Sequence, residues 1–118
     1  MKWINFSLAL ALLFTITGAV TLAGQPGLLP DAELAKLARS HASADEHLKL
    51  AAHYEAHAAE HERDAKLHES LAVDYDKTDP RLAGEARHYA AHSQEAAEAL
   101  SNLAKIHRDL AKEHTKKK

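Results

Sequence analysis

The chain has 118 residues, enough for one domain, and combines 46% hydrophobic with 27% charged residues at a formal charge of −2. It contains no cysteine, which excludes disulfides and thiolate metal sites. Because 17 acidic residues outnumber 15 basic ones, the composition offers no basic surface for nucleic acid or for an anionic membrane.

Residues 1–23 have the pattern of a signal peptide. A single cation, Lys2, precedes an apolar run, and the small residues Thr21 and Ala23 occupy the positions that a cleavage site requires. We expect cleavage after Ala23 and, for a bacterial source, a protein of the periplasm or the exterior with no membrane attachment after cleavage. The alternative is an uncleaved anchor, since about 20 apolar residues span a bilayer.

The rest of the chain is predicted to be a short linker followed by one helical domain. The linker, residues 24–30, reads "GQPGLLP". In the domain, residues 31–118, Pro80 and Gly84 are the only proline and the only glycine. This composition indicates helices with a single break between them.

The first two predicted helices begin at recognisable caps. Asp31 is placed to cap a short helix, "AELAKLARSH". Ser43 followed by Glu46 forms a capping box for a long helix, which strong helix formers continue to about Lys77.

A second long helix is predicted after the break. Asp79 is suited to the N-cap and Pro80 to the first helical position, and the helix runs towards His114. The cations of the terminal "KKK" favour its C-terminal end through the helix dipole.

The two long helices resemble each other in sequence. "HYEAHAAE", which starts at His53, matches "HYAAHSQE", which starts at His88. Two long helices joined by a tight turn predict an all-α fold, an antiparallel helical hairpin preceded by a short helix. The core of such a hairpin is thin, so dimerisation into a four-helix bundle would add to it.

Histidines recur on the predicted interhelical seam. The seam of the first long helix comprises Leu50, Tyr54, His57, His61, Asp64, His68, Leu71 and Tyr75. The matching stripe of the second comprises Leu82, Tyr89, Ala96, Leu103 and Leu110. Folding about the turn pairs residues whose numbers sum to about 160. This predicts the histidine pairs His68 with His92, His53 with His107, and His47 with His114.

Imidazoles four residues apart on a helix can bind one metal ion, because their Cβ atoms are about 5–6 Å apart. The candidate metal ligands are His53, His57, His61, Asp64, His68, His88, His92 and His107. The best single site takes His57, His61, His68 and Asp64 from one helix, completed by His88 or His92 from the other. Nitrogen donors without sulfur favour Cu(II), followed by Ni(II) or Zn(II).

The segments "HYEAHAAEHERDAKLH" and "HYAAHSQE", with the signal peptide and the absence of cysteine, resemble the small histidine-rich periplasmic metal-binding proteins. The likeness covers roughly residues 44–114 and is one of composition and spacing. It implies a non-enzymatic protein that scavenges or buffers divalent metals, copper especially. The chain departs from that pattern in its imperfect seven-residue repetition. The offset between its halves is also unequal, at 35 residues from His53 to His88 but 39 from "AKLHESLA" at Ala65 to "AKIHRDLA" at Ala104.

Other interpretations of the histidines remain open at this point. They can simply pack, or they can make a structural or protein-interaction module pH-sensitive, because facing imidazolium ions repel. A haem held by His68 and His92 is a third option. No enzyme is predicted, since there is no cysteine nucleophile, no G-x-S-x-G and no H-E-x-x-H.

Overall fold

The computed structural model describes residues 27–40 and 43–117. Within these residues three helices follow one another: α1 Asp31–Ser40, α2 Ala44–Tyr75 and α3 Pro80–Lys116. Extensive packing between α2 and α3 makes an antiparallel hairpin, which confirms the predicted all-α fold. The expected signal peptide lies outside the described residues, and no helix among those described is both long and apolar enough to span a membrane.

The predicted N-caps form at both long helices. Asp31, predicted to cap the short helix, is instead its first helical residue, because the N–H of Leu34 bonds to the carbonyl of Pro30. The Ser43 hydroxyl accepts a hydrogen bond from the Glu46 backbone N–H at 3.2 Å, and the Glu46 carboxylate accepts one from the Ser40 hydroxyl at 2.7 Å. Asp79 accepts from the backbone N–H groups of Arg81 and Leu82. The bonds accepted by Ser43 and Asp79 satisfy backbone donors that have no partner within the helix.

The turn between α2 and α3 is short and closed by the backbone. The N–H groups of Thr78 and Asp79 both donate to the carbonyl of Tyr75, at 3.0 and 2.7 Å. Pro80 then begins α3, where its missing N–H has no helical partner to lose. The predicted break is therefore confirmed, and it forces the two helices to run antiparallel.

Alanine fills the centre of the interface between the two helices. Every seventh residue is a buried alanine on both helices, and we call this set the alanine seam: Ala51, Ala58, Ala65 and Ala72 on α2, and Ala83, Ala90, Ala97, Ala104 and Ala111 on α3. A seven-residue repeat keeps one row of side chains facing the partner helix along its whole length. Because alanine is small, the helix axes can approach to the lower end of the usual range of about 8–10 Å.

Ion pairs border the alanine seam on one side, which we call the charged face. The guanidinium of Arg108 donates to both carboxylate oxygens of Glu55, at 2.7 and 2.6 Å. Nearer the turn, Arg87 forms a two-bond pair with Asp76. These pairs lower the pKa values of both carboxyl groups, chiefly through the hydrogen bonds from arginine. They also fix the register, which agrees with the predicted pairing about the turn.

The burial pattern corrects the predicted seam. The stripe predicted on α3 lies one residue before the alanines, and its large members are substantially exposed: Leu82 by 46%, Tyr89 by 48% and Leu103 by 40%. On α2 the predicted seam residues His57, His61, Asp64 and His68 are only half-buried. Leu50 of the predicted seam is fully buried, as predicted. The other members flank the interface, because the closest contact goes to the smallest side chains.

The segment before α2 packs against the outer side of that helix. Gly27 has a positive φ of 95°, and a Cβ there would lie 3.1 Å from the carbonyl oxygen of Ala52. The backbone N–H of Leu29 donates to His53 Nδ1 at 3.1 Å, and Leu37 of α1 is buried. Part of the predicted linker is thus an ordered strap on α2.

Candidate metal centre

The corrected geometry places most candidate ligands on one open side of the hairpin. This side, the histidine face, lies across the alanine seam from the charged face and carries His57, His61, Asp64, His68 and Leu71 of α2 with Leu82, Tyr89, Leu100, Leu103 and Leu110 of α3. Its two helices meet where the His68 ring lies 4.1 Å from the Tyr89 ring. Between this contact and the turn lies an open groove of about 380 Å³, which both helices line.

His57 and His61 form the central pair of the histidine face. Their ring centroids are 5.0 Å apart, at an interplanar angle of 32°. His61 Nδ1 is buried and has no hydrogen-bond partner within the described residues. A buried polar atom without a partner costs free energy, so this nitrogen is suited to receive a ligand.

His68 and Asp64 are linked through the backbone. His68 Nδ1 lies 2.8 Å from the Asp64 carbonyl oxygen. Since a carbonyl oxygen can only accept, Nδ1 is the donor and carries the hydrogen. In the neutral ring this leaves Nε2 without a hydrogen. His68 therefore keeps one nitrogen that can bind a metal ion, and the bond to Asp64 fixes the orientation of its ring.

His88 and His92 lie on the exposed outer surface of α3. Their Nε2 atoms are 3.1 Å apart, and His92 Nδ1 is 3.6 Å from a carboxylate oxygen of Glu95. The prediction that His92 faces His68 is wrong, since His68 packs on Tyr89 instead. This pair is separate from the histidine face.

Three histidines gather at the open end of the hairpin. His47 Nδ1 is 3.0 Å from His107 Nδ1, and the His47 ring lies 5.1 Å from that of His114, which confirms the predicted pairing of His47 with His114. Tyr54 stacks on His107 at 5.6 Å. His107 therefore contacts His47 and Tyr54, whereas the sequence predicted His53 as its partner.

His53 holds the segment before α1 against α2. Only 6% of the residue is exposed, and its Nδ1 accepts the hydrogen bond from Leu29. Burial lowers the pKa of His53 below its ordinary value; nearby His57 lowers it further, while Asp31 and Glu60 act in the opposite direction. His53 is therefore held neutral, with the accepting nitrogen already occupied.

None of these contacts brings together enough donors for a complete metal site. Among the residues that the structure describes, no group of three or more histidine, aspartate or glutamate side chains is close enough to hold a metal ion. The site predicted from His57, His61, His68 and Asp64 with His88 or His92 is therefore not formed, because these side chains do not come together in the described part of the chain. Sequence reasoning missed the contact between His47 and His107, because it paired His47 with His114 and His107 with His53.

Comparison with known proteins gives no indication of function, so any functional proposal depends on the contacts described above. The chain matches no family model, no curated protein and no solved structure.

Proposed function

We propose that this chain binds divalent transition-metal ions through paired imidazoles and buffers or sequesters them outside the cytoplasm. The observation that carries the proposal is the 3.1 Å separation of the Nε2 atoms of His88 and His92. Two nitrogens bound to one ion at 2.0–2.1 Å are about 2.8–3.4 Å apart at square-planar to tetrahedral angles. An ion can replace the proton that the two rings share with little movement of either side chain.

The central pair on α2 adds a second place for an ion. His57 and His61 have the same four-residue spacing, and His61 Nδ1 has no partner within the described residues. With nitrogen donors and no cysteine, Cu(II) is the preferred ion, ahead of Ni(II) and Zn(II). Two imidazoles from one chain for each ion suit exchangeable binding, as buffering or scavenging requires.

The proposed location rests on the N-terminal sequence. Residues 1–23 have the cation, apolar run and small residues of a secretory signal, so the proposal places the protein in the periplasm or outside the cell. Mass spectrometry of the exported protein tests this directly. An N-terminus at Gly24 supports cleavage, and an intact Met1 contradicts it.

The test of metal binding is a calorimetric titration of Cu(II), Ni(II) and Zn(II) into the chelator-stripped protein. It is run beside the double variants His88→Ala/His92→Ala and His57→Ala/His61→Ala, each of which serves as the control for the other. We expect each variant to lose its own site and to keep the other one. Equal binding by the wild type and both variants would contradict the proposal.

Binding should also depend on pH. An imidazole must be neutral to bind a metal, and its free pKa is near 6.5, so affinity should fall steeply below about pH 6. The same titration at pH 7.5 and pH 5 checks this. Equal Cu(II) affinity at both values would exclude histidine ligands.

An interaction module with pH-sensitive histidine contacts is the second candidate function. It is favoured by the exposed apolar side chains Leu82, Tyr89 and Leu103, which a protein partner could cover. Circular dichroism of the metal-free protein distinguishes the two functions. Loss of helix between pH 7 and pH 5, together with indifference to all three metals, would favour the interaction module.

A further inference from the structure

We propose that two copies of this chain associate through the histidine face, and that His57 and His61 of both copies form one four-imidazole metal site at the centre of that interface. The inference rests on the proposed function. It assigns a second copy of the chain as the partner that covers the histidine face, and the histidines of that copy as the further ligands of the ion at His57 and His61.

The position of the central pair favours a two-fold arrangement. His57 and His61 lie on either side of the midpoint of α2, which extends over Ala44–Tyr75. In an isologous interface, residue i of one copy contacts residue j of the other and the reverse. Consider a two-fold axis that lies in the interface, perpendicular to the helices, at the level of the middle of α2. This axis sets His57 of each copy against His61 of the other copy.

The same axis brings the apolar side chains of α3 together. Tyr54 faces His107 and Glu55 faces Arg108, so the midpoint of α2 lies opposite about residue 103 of α3. Leu103 would then meet Leu103 of the second copy. Leu100 and Ile106 lie three residues to either side, and Ile106 is 55% exposed. The exposed leucines and the histidine pair thus lie at one level of the hairpin.

The available area is that of a stable interface. α2 has 32 residues and is about 48 Å long, and two adjacent helices present a face about 18–20 Å wide. Covering this face on both copies would bury about 1,800 Å² in total, within the range of about 1,200–2,000 Å² for specific complexes.

A single hairpin also lacks large buried side chains. Leu37 and Leu50 are the only leucines buried among the described residues, and alanine supplies nearly all of the remaining core. Because alanine buries little apolar area, the hairpin gains more from a partner than a leucine-rich hairpin would. The uncovered Leu103 is then a sign of the missing copy at the level of the histidine pair.

The first experiment compares assembly and stoichiometry for the wild type, Leu103→Glu and the control Val73→Glu. Val73 is 56% exposed and lies three residues before Asp76, hence on the side of the charged face. Sedimentation velocity and Cu(II) titration should show a wild-type dimer that binds one ion per two chains at the centre. Paramagnetic resonance should show four nitrogen ligands for this ion.

We expect Leu103→Glu to be monomeric and to lose the central ion although both histidines are retained, whereas Val73→Glu should behave like the wild type. A monomeric wild type with one ion per chain at His57 and His61 would overturn the inference and leave the proposed function intact. The absence of any histidine-dependent binding would overturn both. A metal-free dimer disrupted by Leu103→Glu would in that case show that the face is correct and the metal site is wrong.

Disulfide capture tests the axis even if Leu103→Glu does not fold. The chain has no cysteine, so Leu103→Cys introduces a single thiol at the proposed axis. Under oxidised glutathione and a chelator, Leu103→Cys should form a covalent dimer and Val73→Cys should remain uncrosslinked. Equal crosslinking of the two variants would overturn the proposed arrangement.

Discussion

A neutral imidazole has one N–H group and one bare nitrogen, so its hydrogen bond decides whether it can still bind a metal ion. His68 donates from Nδ1 to a carbonyl and keeps Nε2 bare. His53 accepts at Nδ1 from Leu29, so its hydrogen lies on Nε2. Two residues that look alike in the sequence are therefore distinguished by their partners: His68 remains a candidate ligand, and His53 holds the N-terminal strap.

Acidification should release the strap at His53. The folded-state pKa of His53 is lowered, chiefly by burial, so between that pKa and about 6.5 the unfolded state binds more protons than the folded state. Stability therefore falls as the pH drops below about 6.5, and the change ends once the pH passes the folded pKa. Protonation also removes the acceptor for the Leu29 N–H. Hydrogen exchange at Leu29, corrected for intrinsic rates, should accelerate between pH 7.5 and pH 5, about tenfold for each unit of pKa depression.

The control for this prediction is His53→Gln, whose amide oxygen accepts a hydrogen bond at any pH. Its Leu29 protection should not change over the same range. Protection of Leu29 that is independent of pH in the wild type would show that His53 does not hold the strap.

At the level of single elements, each long helix begins where local chemistry dictates. Ser43 and Asp79 cap the long helices, and Pro80 begins α3. The two described glycines differ in whether their surroundings require glycine. Gly84 is an exposed position inside α3 with open space around it, whereas Gly27 has a positive φ and touches α2.

Gly84→Ala should stabilise the protein. Alanine favours a helix interior over glycine by about 0.5–1 kcal/mol, and a Cβ at residue 84 meets nothing within 4 Å. Gly27→Ala should destabilise the strap by about 1 kcal/mol or more, because its φ of 95° is strained for alanine and its Cβ would crowd Ala52. Urea unfolding of both variants checks the two signs. A destabilised Gly84→Ala would contradict the helical environment assigned to that residue.

At the level of the whole molecule, stability depends on how closely two long helices approach. The alanine seam excludes bulk from the centre of the interface, and larger side chains flank it on the histidine face. The histidine face is open because the seam is narrow, so packing within the hairpin and the availability of the candidate ligands have a common cause.

Ala97→Leu should therefore destabilise the protein strongly, although the substitution adds apolar surface that could be buried. Ala97 is 1% exposed, and a leucine there forces the helices apart, at a cost of about 1–3 kcal/mol. In a domain of this size this corresponds to a fall in melting temperature of about 4–8 °C for each kcal/mol. Ala91→Leu, on the exposed side of the same helix, should change stability by less than about 0.5 kcal/mol. Similar melting temperatures for the two variants would contradict the alanine seam.

Sequence reasoning predicted the elements and their order correctly, and it failed at the choice of the buried row. The leucines and tyrosine of the predicted stripe on α3 also repeat every seven residues, one position before the alanines. Large apolar residues normally mark the buried face, so the periodicity favoured Leu82 and Tyr89 over Ala83 and Ala90. The alanine repeat was visible in both helices, but its significance depends on the partner helix having the same repeat in register.

The sequence by itself determined the helices, the caps of the two long ones, the turn at Pro80 and the antiparallel pairing, because these depend on residues near one another in the chain. It also placed His57 beside His61 and His88 beside His92, since a four-residue spacing on a helix has one outcome. Only the tertiary structure decided that alanine occupies the centre, that His107 meets His47 and Tyr54, and that His88 and His92 lie away from His68. These contacts depend on how two helices rotate about their axes, and that rotation is set by the packing of both surfaces together.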